Sequence, residues 1–275
     1  MRLILMSMST CRIRNTDWHY REQGQGIPLV LIHGFPLDHR IWAAQIAGLG
    51  DCCRVIAVDL KGFGESVSTE VFTMESLADE LHQLLAQIGA LPCVIGGLSM
   101  GGYVALAFAE KFAGDLKGFI LIDSKSEADP RAAKENRQKL AELAMHGGAA
   151  HSGAVPVAAQ MLPKMLAPST FGEKPKVVKT LQQIMEGVPP VTIANACYAM
   201  RDRPDRTSIL SSFTFPSLIV LGELDAFIPA SLGEAMKQLM PRGQLALIPK
   251  AGHMPPLEQP EALNEVVRQF MAGCA

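Results

Sequence analysis

Short, continuous apolar runs recur along the chain at residues 28–32, 54–58, 92–96, 118–122, 215–222 and 244–249. Runs this short and this uniformly apolar predict strands buried on both faces, the mark of a parallel sheet covered by helices. Helix-like stretches lie between them, near 40–49, 73–89, 100–113, 230–240 and 260–271. Alternation of the two predicts parallel strands joined by right-handed crossovers. Ahead of residue 28, the stretch Asp17-Trp18-His19-Tyr20-Arg21-Glu22 and the turn Gly24-Gln25-Gly26 predict an antiparallel hairpin at one edge. Leu3-Ile4-Leu5-Met6 reads as a first edge strand.

After Asp123 the alternation breaks, and residues 126–208 read as helical with no convincing strand. The organisation expected is therefore a core of residues 1–125 and 209–275 with a helical cap, 126–208, inserted between them. Asp129-Pro130 predicts an N-cap followed by proline at the first helical position, and His146-Gly147-Gly148 predicts the end of that helix. Prolines 156, 163, 168, 175, 189 and 190 divide the remainder into short helices. Ligands of such a sheet bind at the carboxyl ends of its strands, and the cap is expected to sit above them. Its apolar residues Met161, Leu162, Met165, Leu166, Ile184, Met185, Tyr198 and Met200 are the pool for a pocket wall, most of them needed for packing. His146 and His151 read as solvent-facing.

Composition narrows the partners. The chain has 275 residues, 48% hydrophobic and 19% charged, which suits one large core rather than a disordered segment. A formal net charge of −2 gives no electrostatic case for nucleic acid or an anionic membrane. The expected partner is a small neutral or weakly charged molecule, bound by a monomer or small homo-oligomer. Six cysteines, Cys11, Cys52, Cys53, Cys93, Cys197 and Cys274, form no Cys-x-x-Cys pair and read as free thiols. The apolar run at the start is too short for a secretory leader, and no stretch approaches the roughly 20 apolar residues of a membrane span. A cytoplasmic protein is the expectation.

The chemistry lies in the loops that leave the strands. Gly97-Leu98-Ser99-Met100-Gly101 stands between an apolar run and a helix-like stretch, the setting of a nucleophile elbow. A serine hydroxyl is a weak nucleophile at neutral pH and needs a base, which needs an orienting acid. Asp225 lies in the turn after the run at 215–222, and His253 lies in the loop Lys250-Ala251-Gly252-His253-Met254-Pro255-Pro256. The order Ser99, Asp225, His253 is that of α/β hydrolases. Backbone N–H groups of Met100 and Phe35, the latter in His33-Gly34-Phe35-Pro36 after an early strand, are the expected oxyanion-hole donors. His33 precedes the elbow and reads as a structural hydrogen-bonding residue rather than the base. Asp59 reads as a brace for backbone N–H groups.

These motifs, with Asp59-Leu60-Lys61-Gly62-Phe63-Gly64-Glu65-Ser66, give the chain a resemblance to α/β-hydrolase-superfamily serine hydrolases, most of all bacterial carboxylesterases with a helical cap. The resemblance implies an α/β-hydrolase fold, a mostly parallel central sheet with helices on both faces and the cap as an insertion. It implies the roles assigned above, no cofactor and no metal. Haloalkane dehalogenases and epoxide hydrolases of this fold use an aspartate nucleophile, and residue 99 is serine. The family allows the acid to follow the sixth strand instead, where Asp123 stands, but Asp225 occupies the favoured loop. The function expected is hydrolysis of short- to medium-chain carboxylic esters through an acyl-enzyme. A lactonase, a C–C bond hydrolase or a ligand receptor of the same fold are the alternatives.

Overall fold

The computed structural model describes residues 8–146 and 153–274. The strand expected at 3–6, the Gly147-Gly148 stop and His151 lie outside the described residues. The described residues open on an antiparallel pair, β1 (Met8–Ile13) and β2 (Thr16–Gln23), and continue into β3 (Pro28–Ile32). The hairpin is as expected, but its turn is Arg14-Asn15, with Arg14 at φ 51°, and Gly24-Gln25-Gly26 links β2 to β3 instead. Gly24 is needed there for another reason, since at its φ of 91° a Cβ would lie 2.1 Å from the Cys53 carbonyl oxygen.

The alternation follows: α1 (Ala43–Leu49), β4 (Arg54–Val58), α2 (Met74–Gln87), β5 (Cys93–Leu98), α3 (Met100–Phe112) and β6 (Leu116–Ile122). Between β6 and the next strand come α4 (Arg131–His146), α5 (Ala154–Met165), α6 (Pro168–Glu173), α7 (Pro175–Glu186) and α8 (Pro190–Asp202). The chain closes with β7 (Ser217–Gly222), α9 (Ala230–Leu239), β8 (Gly243–Ile248), α10 (Pro255–Glu258) and α11 (Pro260–Ala272). Among the described residues eight strands form one sheet in the order β1-β2-β4-β3-β5-β6-β7-β8, with the β1–β2 and β2–β4 pairs antiparallel and the others parallel.

Strand side chains alternate between two cores. Val30, Ile32, Ile56, Val58 and Ile95 pack with Leu77, Leu81, Val104 and Phe108 of α2 and α3. Their neighbours Leu29, Leu31, Val55, Ala57 and Val94 pack with Ile46, Leu263, Val267 and Phe270 of α1 and α11. Both faces being covered, an unbroken apolar run is what each central strand requires.

Between β6 and β7 the punctuation acts differently from the sequence reading at two places. Prolines 168, 175 and 190 do open helices, but Pro163 lies inside α5, near its carboxyl end. Pro130, not Asp129, caps α4, its carbonyl accepting the Lys134 N–H at 3.0 Å. Asp129 is drawn away by stronger donors, bonding Arg203 at 2.8 Å and Arg137 at 3.2 Å. Among the described residues no helix is long and apolar enough to cross a membrane.

Candidate active site

Strand register brings the loops together. Ile32 of β3 pairs with Gly97 of β5, so the loop bearing Phe35 and the turn bearing Ser99 and Met100 leave the sheet side by side. Here the strand order reverses, and the crevice outside the strand ends is the fold's natural ligand position. Ile122 pairs with Leu98 on one side and Val220 on the other, and Gly222 pairs with Ile248, which brings Asp123, Asp225 and His253 to the same edge.

Ser99 sits at φ 52° and ψ −114°, a conformation that costs a side-chain-bearing residue about 1–3 kcal/mol and persists only where neighbours enforce it. They do. A Cβ on Gly97 would lie 2.2 Å from the Gly101 carbonyl oxygen, and one on Gly101 would lie 2.3 Å from that of Ile32. Both glycines of the motif are thus dictated by close backbone approach. Ser99, Phe35 and His253 border one small cavity of about 70 Å³, closed by Tyr103, Arg137, Met161, Met200, Phe227 and Ile228. Among the described residues neither the Phe35 nor the Met100 N–H donates in a turn or loop hydrogen bond.

His253 Nδ1 donates to Asp225 Oδ2 at 2.8 Å, and the two side chains are 6% and 0% exposed. That bond fixes the tautomer and leaves the lone pair on Nε2. Asp225 Oδ1 accepts the Phe227 N–H at 2.8 Å, and the Phe227 ring meets the His253 ring edge-on at 4.8 Å. Burial drives the Asp225 carboxyl upward, but the His253 ring beside it prevails and holds it below the usual carboxylate range.

Asp123 joins this pair. Wholly buried at φ 42°, it accepts the Gly222 N–H on Oδ1 at 2.8 Å, while Oδ2 meets no donor. Burial and then the adjacent Asp225 charge push its carboxyl well above the ordinary range. Two buried carboxylates this close do not both ionise, and burial together with the Asp225 charge makes Asp123 the one that keeps its proton.

His33 Nδ1 donates to the Gly34 carbonyl at 2.8 Å, and its Nε2 accepts the Leu60 N–H at 3.1 Å. Both nitrogens are spent on holding the Phe35 loop against the β4 loop. Asp59 takes the His39 N–H at 2.8 Å and the Glu65 N–H at 3.0 Å, a brace as the sequence implied. Asp38, His39 and Asp59 are close enough to share a cation, as are Asp123, Asp225 and His253. In the first cluster Asp38 is held by Arg40 and Asp59 by His39 and Glu65, so its oxygens are already engaged.

Sequence reasoning missed Glu258. Its buried carboxylate accepts the Ala167 N–H and Thr170 hydroxyl on Oε1, each at 2.7 Å. On Oε2 it accepts the Gly252 N–H at 2.7 Å and the Met254 N–H at 3.3 Å, on either side of His253. The His253 N–H itself donates to the Met165 carbonyl at 3.0 Å. Glu258→Ala leaves these donors buried without an acceptor, at about 1–3 kcal/mol each. We expect a loss of at least about 3 kcal/mol, read from the urea midpoint at constant slope, whereas Glu258→Gln loses less.

Of the eight apolar residues expected to supply a pocket wall, Met161 and Met200 border the Ser99 cavity. Met165, Leu166, Ile184 and Met185 are buried in the core. Tyr103, Arg137, Phe227 and Ile228 also line the site and were not anticipated. Phe227 and Ile228 lie in the same turn as Asp225, separated from it by Ala226, which is the signal that could have found them.

A family model described as the alpha/beta hydrolase family matches residues 29–266. The chain belongs to that family. Among its relatives is "Lipase 1" of Psychrobacter immobilis, 26% identical over 92% of this chain and 79% of that protein. The pimeloyl-[acyl-carrier protein] methyl ester esterase of Vibrio vulnificus is also 26% identical, over 93% of this chain and 98% of its own length. A thermophilic esterase from Thermogutta terrifontis, solved with malate bound, is 39% identical and superposes with a TM-score of 0.92 over 98% of this chain and 99% of that one. The enol-lactonase of Burkholderia xenovorans superposes at 0.86 over 96% of this chain and 100% of that one, but at 21% identity it speaks to the fold alone.

Proposed function

We propose that the chain is a serine carboxylesterase for short- to medium-chain carboxylic esters, with Ser99 as nucleophile, His253 as base and Asp225 as the orienting acid. The observation that carries this reading is the buried 2.8 Å bond from His253 Nδ1 to Asp225, in a site where Ser99 stands on a strained turn at the same cavity. The esterase and lipase relatives support ester hydrolysis as the reaction class.

His253 Nε2 takes the Ser99 proton as Oγ attacks the ester carbonyl. The Phe35 and Met100 N–H groups hold the oxygen that becomes negative. Protonated His253 then gives its proton to the departing alcohol, and the same nitrogen activates water to release the acid. The helical segment between β6 and β7 serves as the cap, contributing Arg137, Met161 and Met200 to the cavity.

Its size sets an expectation for the acyl group. The space beside Ser99 is small, about 70 Å³, and suits a short acyl group. Among p-nitrophenyl esters, kcat/KM should be highest for acetate to butyrate and fall about tenfold or more by octanoate. A rising profile to octanoate would refute the short-acyl assignment. A lactone panel in parallel separates the esterase from a lactonase.

A further inference from the structure

The Ser99 cavity borders a larger chamber of about 270 Å³, and the two share Tyr103, Arg137, Met161, Phe227 and Ile228. The chamber is lined by three cations, Lys125, Arg137 and Lys164, against a single carboxylate, Asp129. That carboxylate is already oversubscribed. Arg203, 2% exposed, bonds it at 2.8 Å, Arg137 Nε at 3.2 Å and Lys125 Nζ at 3.4 Å.

The two arginines are used differently. Arg203 stacks over the Tyr103 ring at 3.8 Å and gives its other bonds to the carbonyls of Met200 and Glu127. It is a structural cation that fixes Asp129. Arg137, 21% exposed, gives Asp129 only its Nε, and its two terminal nitrogens carry no hydrogen bond to the described residues. A guanidinium presents those nitrogens as a fork matched to a carboxylate. The chain as a whole is net negative, so this local excess of positive charge is a property of the chamber.

We propose that the preferred esters carry a carboxylate on the end remote from the scissile bond, held by Arg137 with Lys125 and Lys164 supplying the field. This rests on the esterase reading and adds the substrate class: monoesters of short dicarboxylic acids, or short acyl esters of hydroxy acids. The two arms differ in which side of the ester bears the charge.

Two substrate pairs test it. Monomethyl glutarate is compared with methyl 5-methylhexanoate, and acetoxyacetate with isobutyl acetate, the charged and uncharged members of each pair being close in shape. In the wild type at low salt, kcat/KM for the charged member should exceed that for its neutral counterpart in at least one pair, and the pair that shows it identifies the side. Arg137→Gln should lower that ratio at least tenfold, with partial recovery in Arg137→Lys, which keeps the charge and loses the fork. Lys164→Gln, exposed and outside the Asp129 cluster, should lower it several-fold, as should 0.5 M NaCl. A ratio below one in both pairs, or one that neither variant moves while Ser99-dependent hydrolysis of neutral esters persists, overturns the anionic substrate class and leaves the esterase standing. No Ser99-dependent hydrolysis of any ester overturns both.

Discussion

Ser99→Ala will lose ester turnover, with kcat on p-nitrophenyl acetate falling by roughly 10⁴- to 10⁶-fold. No other hydroxyl is in place to attack: among the described residues bordering the cavity, the remaining one is the phenol of Tyr103. On the proposed mechanism, what survives is what the Phe35 and Met100 amides and the cavity walls would give a bound ester facing water. Binding should outlast chemistry, so a product acid should still inhibit residual turnover with an affinity within a few-fold of the wild type. The elbow itself does not depend on the hydroxyl, since it is enforced by Gly97 and Gly101 against neighbouring carbonyls. Melting temperature should therefore hold. A variant that keeps more than about one-thousandth of the wild-type rate would remove Ser99 from the mechanism.

The second large effect separates two aspartates. Asp225→Asn should cost about 10⁴-fold in kcat, because an amide facing His253 Nδ1 no longer dictates the proton position or balances the charged ring. Asp123→Asn should stay within about tenfold of the wild type, since the Asn amide keeps a donor toward Asp225 and an acceptor for the Gly222 N–H. Equal losses in the two variants would mean that Asp123 is ionised and shares the acid's role.

Stability gives an independent reading of the same pair. A carboxyl whose folded pKa is raised contributes stability fully below its unfolded pKa of about 3.9 and loses it as pH rises toward the folded value. Asp123 is such a group, its carboxyl pushed up by burial and by Asp225. The stability of Asp123→Asn relative to the wild type should accordingly improve between pH 4 and pH 8. A difference that does not change with pH would mean Asp123 is ionised in the folded state.

Much of this was legible in the residues. The apolar runs located the strands, because a strand buried on both faces has no polar position to spare. The loops bearing Ser99, Asp225 and His253 could be read as short polar or glycine-containing interruptions immediately after such runs. Contacts between distant segments were not legible. Glu258 looks like any glutamate beside a proline, and only the fold shows that it bridges Ala167, Thr170 and the flanks of His253. Asp129 before Pro130 has the form of a helix cap, and it took Arg203, 74 residues on, together with Arg137 of the following helix to make it an ion-pair centre. Arg137, one of several charged residues on α4, gave no sign that it borders the Ser99 cavity.

The tie between His253 and the α5–α6 corner constrains how the site can open. With the His253 N–H on the Met165 carbonyl and Glu258 clasping Ala167, Thr170 and both neighbours of His253, that corner cannot swing away without carrying the imidazole off Asp225. The chamber that borders the Ser99 cavity lies along α4 and α5, lined by Arg137 and Leu140 of one and Gln160, Met161 and Lys164 of the other. Under the proposed function that chamber would be the ester's approach, and Arg137, shared by both linings, would be met on the way to Ser99.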